Sequence, residues 1–154
     1  MSGNDTPGVV APPPLLLAGA ILVGVAIQRV TPIPFVPGGV PTAIGVLVVA
    51  ASLALAAASI REFRRAGTEV ETRKPTTALV VRGPYRWSRN PIYLAFLGLQ
   101  LGVALLANSA WIAAMIVPLA TILHVGVIMR EERYLSRRLG PAYDAYRASV
   151  RRWL

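Results

Sequence analysis

The chain has 154 residues, of which 55% are hydrophobic, with a mean hydropathy of +0.55 and a formal net charge of +9. It has no cysteine, which excludes disulfides, thiolate nucleophiles and cysteine-ligated metals, and one histidine with seven carboxylates offers few convergent ligands for any metal. Several apolar runs approach the ~20 residues a helix needs to cross a bilayer, which excludes an ordinary soluble domain. An all-α, polytopic membrane helical bundle is predicted, with about four transmembrane helices and a C-terminal amphipathic helix.

Residues 1–13 read as a disordered leader, without the basic n-region of a signal peptide. A single domain over 14–154 follows. The first span is expected over Pro14–Gln28, with an end as late as Val30, because prolines such as Pro12-Pro13-Pro14 are tolerated where helix amides are orphaned anyway. The loop Arg29–Pro41 carries Pro32, Pro34, Pro37 and Gly38-Gly39 and cannot be helix throughout. Its apolar Ile33, Phe35 and Val36 suit the membrane interface. The second span is predicted over Pro41–Ile60, where Ala and Ser clusters suit close helix packing in lipid.

Polar sequence follows to Asn90, with a turn signal at Ala66-Gly67-Thr68, a break at Pro75 and a short extended piece over Thr77–Val81. Gly83-Pro84 should turn the chain into a third span, Pro91–Leu106, with Asn90 as its N-cap. Ala107-Asn108-Ser109 makes a tight turn. The fourth span, Ala110–Met129, runs without interruption into Arg130-Glu131-Glu132-Arg133, and Leu139-Gly140-Pro141 ends that helix. A last helix over Ala142–Arg152 places Tyr143, Tyr146, Arg147, Val150 and Trp153 on one face, as an anchor or packing surface.

Of the 16 Lys and Arg, all but Arg29 lie between spans two and three or after span four. With four crossings, the positive-inside rule places both termini and the central loop in the cytoplasm. The basic residues flank apolar spans, so they point to anionic headgroups and not to nucleic acid. The same count brings Arg89, Tyr93, Glu131 and Glu132 to one membrane face.

Charges at such a boundary must snorkel, pair or bind something. Arg89 can hold a carboxylate by paired hydrogen bonds, and Tyr93, four residues on, can stack on a ring or donate its hydroxyl. The bland alternative is an arginine at headgroups and a tyrosine in the aromatic belt. Glu131 and Glu132 point about 100° apart on a helix, so one can meet a cationic ligand while the other pairs with Arg130, Arg133 or a central-loop arginine. His124 precedes Glu131 by seven residues, two helical turns, and should share its stripe. It is either functional or a packing histidine.

At these residues the chain resembles the isoprenylcysteine carboxyl methyltransferase and phospholipid methyltransferase superfamily. The matching segments are Gly83-Pro84-Tyr85-Arg86, Ser88-Arg89-Asn90-Pro91-Ile92-Tyr93, Glu131-Glu132 and Leu139-Gly140-Pro141-Ala142-Tyr143-Asp144-Ala145-Tyr146, within a core region of 63–154. The resemblance implies an integral membrane methyltransferase that uses S-adenosylmethionine on a lipophilic small molecule, a lipid or an isoprenylcysteine-like carboxylate. It implies a cofactor pocket that includes Arg89, Asn90, Pro91, Tyr93, Glu131 and Glu132, to which the adjoining Tyr85 is added; Arg89 and His124 are the catalytic candidates, and no metal is expected. Asn90 stands where the isoprenylcysteine branch usually has His; it can hydrogen-bond but cannot titrate. The alternatives are a membrane reductase using a reduced nicotinamide dinucleotide and a non-catalytic lipid-binding protein.

Overall fold

A computed structural model describes residues 7–39, 42–67 and 78–154. The start of the leader, the beginning of span two at Pro41, Thr68 of the expected turn, the Pro75 break and Thr77 lie outside the described residues. Among the described residues the architecture is helical throughout, with no strand beyond an isolated bridge between Pro34 and Ser109. Among the described residues, 78–81 pair with no strand.

Helix α1 spans Pro13–Val30, and its prolines occupy the first turn as their missing donors allow. Helix α2 spans Thr42–Arg65, five residues past the predicted end. Arg61 and Arg65 continue it with side chains more than half exposed, so the helix extends without burying their charge. Helix α3 spans Pro91–Leu106 as predicted. Helices α1 and α2, and the continuous helical run Ala110–Leu139, are long and apolar enough to cross a membrane; α3 is apolar but shorter.

That last run is continuous, as expected, but its helix type changes along it. It comprises α4 (Ala110–Ala114), α5 (Ile116–Ile122), a π-helical stretch (Leu123–Ile128) and α6 (Met129–Leu139). The break at Met115 follows from Pro118, whose ring collides with the carbonyl four residues earlier, on Ala114. The π-helical stretch winds more residues per turn and rotates everything after it. Helix α7 covers Pro141–Ser149 and ends three residues before the predicted Arg152.

Small residues set the helix spacing. A Cβ at Gly24 would lie 2.8 Å from the Ile112 Cα, so the backbone of α1 rests on that of α4. A Cβ at Gly102 would lie 2.6 Å from Val49 Cγ2, which fixes α2 on α3 in the way small residues do in lipid.

At one end of the bundle the 31–39 loop is latched to the 107–110 turn. Asn108 accepts from the Val36 amide at 2.9 Å and returns a bond to the Val36 carbonyl at 3.3 Å. The Trp111 indole donates to the Thr31 carbonyl at 2.7 Å, and the Ser109 hydroxyl donates to Gln28 at 2.9 Å. The loop is thus held to protein. At the other end, residues 7–12 run against the π-helical stretch: the Val10 amide donates to the Gly126 carbonyl at 3.2 Å, and Arg130 donates to the Gly8 carbonyl at 2.7 Å.

Candidate active site

The residues before α3 are placed by a short 3-10 helix, Gly83–Arg86. Gly83 has φ +57° and sits against the buried Glu62, whose Cγ would be 3.0 Å from a Cβ there. Glycine alone meets both demands comfortably. The turn delivers Tyr85 into a buried cluster with Val80, Tyr143 and Tyr146, edge-on to Phe63 at 5.4 Å. Tyr146 donates its hydroxyl to the Tyr85 carbonyl at 2.7 Å. Burial raises the Tyr143 hydroxyl to about 12; the charge of Glu132 adds to the shift and that of Arg89 opposes it. Burial likewise raises Tyr85 and Tyr146 above the usual tyrosine range.

Three residues further on, Arg89 is driven inward. Its side chain is 9% exposed, and Nη2 lies 3.3 Å from Oε1 of Glu132, which is equally buried. Among the described residues, Nε and Nη1 of Arg89 are buried with no partner in good hydrogen-bond geometry, and the Tyr143 hydroxyl lies close to the same guanidinium. A planar guanidinium held by one nitrogen, with two nitrogens and their three N–H groups left over, has the capacity to receive a further anionic group. Tyr93, one turn into α3, donates its hydroxyl to Glu131 Oε1 at 2.7 Å. The two adjacent glutamates therefore diverge as expected, Glu131 to Tyr93 and Glu132 to arginine.

The arginines on Glu132 are not those its own helix supplies. Arg152, at the end of the chain described, grips it with two bonds, Nε to Oε1 at 2.9 Å and Nη2 to Oε2 at 2.8 Å. Its Nη1 reaches His124 Nε2 at 3.4 Å, and Trp153 stacks on the His124 ring at 6.2 Å between centroids. His124 thus reaches the site through Arg152, which it shares with Glu132, eight residues away. The expected stripe with Glu131 is displaced by the wider π-helical turns.

Asn90 sits at the start of α3 but makes no side-chain cap. Its amide donates instead to the Arg152 carbonyl at 2.9 Å, while the Arg89 amide donates to the Arg151 carbonyl at 3.0 Å. The expected cap is replaced because the returning chain offers a buried acceptor. Pro91 occupies the first turn of α3 and is buried. Trp153, expected on the last helix, lies beyond its end. The structure thus brings Arg89, Tyr93, His124, Glu131 and Glu132 together, with Tyr85 beside them in the tyrosine cluster.

The model of the phospholipid methyltransferase family matches residues 40–142. The chain belongs to that family. No curated protein and no solved structure matches it. The matched region of this phospholipid methyltransferase family member holds every predicted site residue and stops before Arg152 and Trp153. Those two entered the sequence reading only as a flanking charge and a packing aromatic. No spacing tied them to Glu132 or His124, because the contact depends on where α7 ends.

Proposed function

We propose that the chain is an integral membrane methyltransferase that uses S-adenosylmethionine to methylate a lipophilic small molecule, a lipid or an isoprenylcysteine-like carboxylate. The observation that carries this reading is the half-used guanidinium of Arg89, buried beside two glutamates in a membrane protein of the phospholipid methyltransferase family. The donor set suits the cofactor. Arg89 Nε and Nη1 hold its carboxylate, Glu131 or Glu132 faces its ammonium, and Tyr85 and Tyr93 supply aromatic wall for adenine. When bound, S-adenosylmethionine supplies a methyl group activated on a cationic sulfonium.

The chain's own residues then have few tasks. Arg89 and the glutamates orient, the apolar wall of Tyr93, Leu123 and Val127 excludes water, and Asn90 and Pro91 fix the start of α3. His124 orients the acceptor from that wall. Alignment and desolvation are the main requirements of a direct displacement. The acceptor enters laterally from the bilayer. With four crossings, the distribution of arginines supports a cytoplasmic side for the site, the central loop and both termini.

The test is calorimetry on the detergent-solubilised protein with S-adenosylhomocysteine and, separately, a reduced nicotinamide dinucleotide. Binding of the former alone, lost in folded Arg89→Ala and Glu131→Ala variants, is the expected result. Binding of the dinucleotide alone overturns the reading. Radiolabelled methyl transfer into membrane lipid extracts and small lipophilic acids then identifies the acceptor.

A further inference from the structure

We infer that the closing segment Val150–Leu154 is an internal gate, in which Arg152 stands in for a cationic ligand on Glu132. The inference rests on the cofactor reading above. Three observations carry it. Both oxygens of Glu132 are engaged by Arg152, and Oε1 also faces Arg89. A carboxylate so occupied has little room for an incoming ammonium, and only one of its two arginines can leave. Arg89 is fixed in the site, with its side chain 9% exposed, whereas Arg152 is 33% exposed and lies on a segment outside any helix.

The segment is fastened over the site by backbone hydrogen bonds and by one aromatic side chain. Its backbone carbonyls at Arg151 and Arg152 take the Arg89 and Asn90 donors, and Trp153 covers His124 while packing against the apolar cluster of Tyr93, Leu123 and Val127. The segment therefore occupies two places at once, the glutamate that would face a cation and the histidine facing the apolar wall. Withdrawal of Arg152 uncovers both and leaves Arg89 with Glu132. The ammonium of the cofactor then replaces one cation by another, so the site never holds an uncompensated carboxylate. A bound cofactor and a seated Arg152 exclude each other.

The test uses the full chain in detergent with S-adenosylhomocysteine as the probe. Arg152→Gln, which keeps length but removes the competing charge, should bind about fivefold more tightly than wild type, the gain from removing a gate closed about four-fifths of the time. Arg152→Lys, which keeps the charge, should stay within about twofold of wild type. A second measurement needs no substitution at the gate. In protein carrying 5-fluorotryptophan, the Trp153 fluorine resonance should gain a solvent isotope shift when the probe is added. Weaker or unchanged binding by Arg152→Gln, or a Trp153 resonance unmoved or more shielded by the probe, overturns the gate and leaves the cofactor reading intact. Absence of binding to wild type and Arg152→Gln alike overturns the cofactor reading and the gate with it.

Discussion

Glu132→Gln should be the most destabilising single-atom change at the site. In the native protein Glu132 faces Arg152 through two short bonds and Arg89 through one contact at 3.3 Å. Glutamine keeps the shape and one acceptor but removes the negative charge. Arg152, a third exposed, recovers water; Arg89, 9% exposed, cannot. Breaking a buried pair by removing one partner costs about 3–5 kcal/mol, and the remaining acceptor lowers that to roughly 2–4 kcal/mol. For a chain of this size the loss corresponds to a fall in Tm of roughly 4–16 °C. Thermal unfolding in detergent, followed by circular dichroism, measures it. The control is Arg152→Gln, which leaves Glu132 with Arg89 and should cost no more than about 1 kcal/mol, as partly exposed pairs do. A Glu132→Gln variant as stable as wild type would refute the claim that the Arg89 charge is buried against this carboxylate.

Gly24→Ala should destabilise by about 1–3 kcal/mol, because its methyl meets the Ile112 backbone at 2.8 Å, whereas Gly19→Ala, with nothing within 4 Å, should be neutral or slightly stabilising; the two melting curves decide it. Tyr93→Phe removes the 2.7 Å donor to Glu131 and should cost about 1.5–3 kcal/mol in the same assay. The Tyr143 hydroxyl is raised from 10.0 to about 12, so the native state prefers it neutral. Its contribution is complete below pH 10 and lost as pH rises from about 10 through 12. Tyr143→Phe should make an alkaline unfolding titration shallower over that window.

The helices were legible where the chain punctuates itself. Pro91 and the Ala107-Asn108-Ser109 turn bracket α3 at both ends, and prolines open α1. The second helix outran its predicted end because Ile60 closes the apolar run, not the hydrogen-bonded one. The π-helical stretch has no proline or glycine pair to announce it, so the phase between His124 and Glu131 could not be read from a seven-residue spacing. Arg89, Tyr93 and the two glutamates converge at one end of the bundle, which a count of charges across spans can detect. Arg152 reaches Glu132 only because α7 stops at Ser149, and a periodic aromatic pattern running on to Trp153 argued for more helix, not less.

The latch between Asn108 and Val36, with Trp111 and Ser109 alongside it, has a mechanical consequence. It ties both hairpin bends together at the end of the bundle remote from Arg89 and Glu132, as the spring of a clothes-peg ties its arms. Helix α1 is about 27 Å long, so a tilt of only 10° about that fulcrum moves its Pro13 end, where residues 7–12 bond to Gly126 and Arg130, by about 5 Å. The jaws of the peg are the end where Arg89 and Glu132 lie, so a small flexure at the latch is multiplied there.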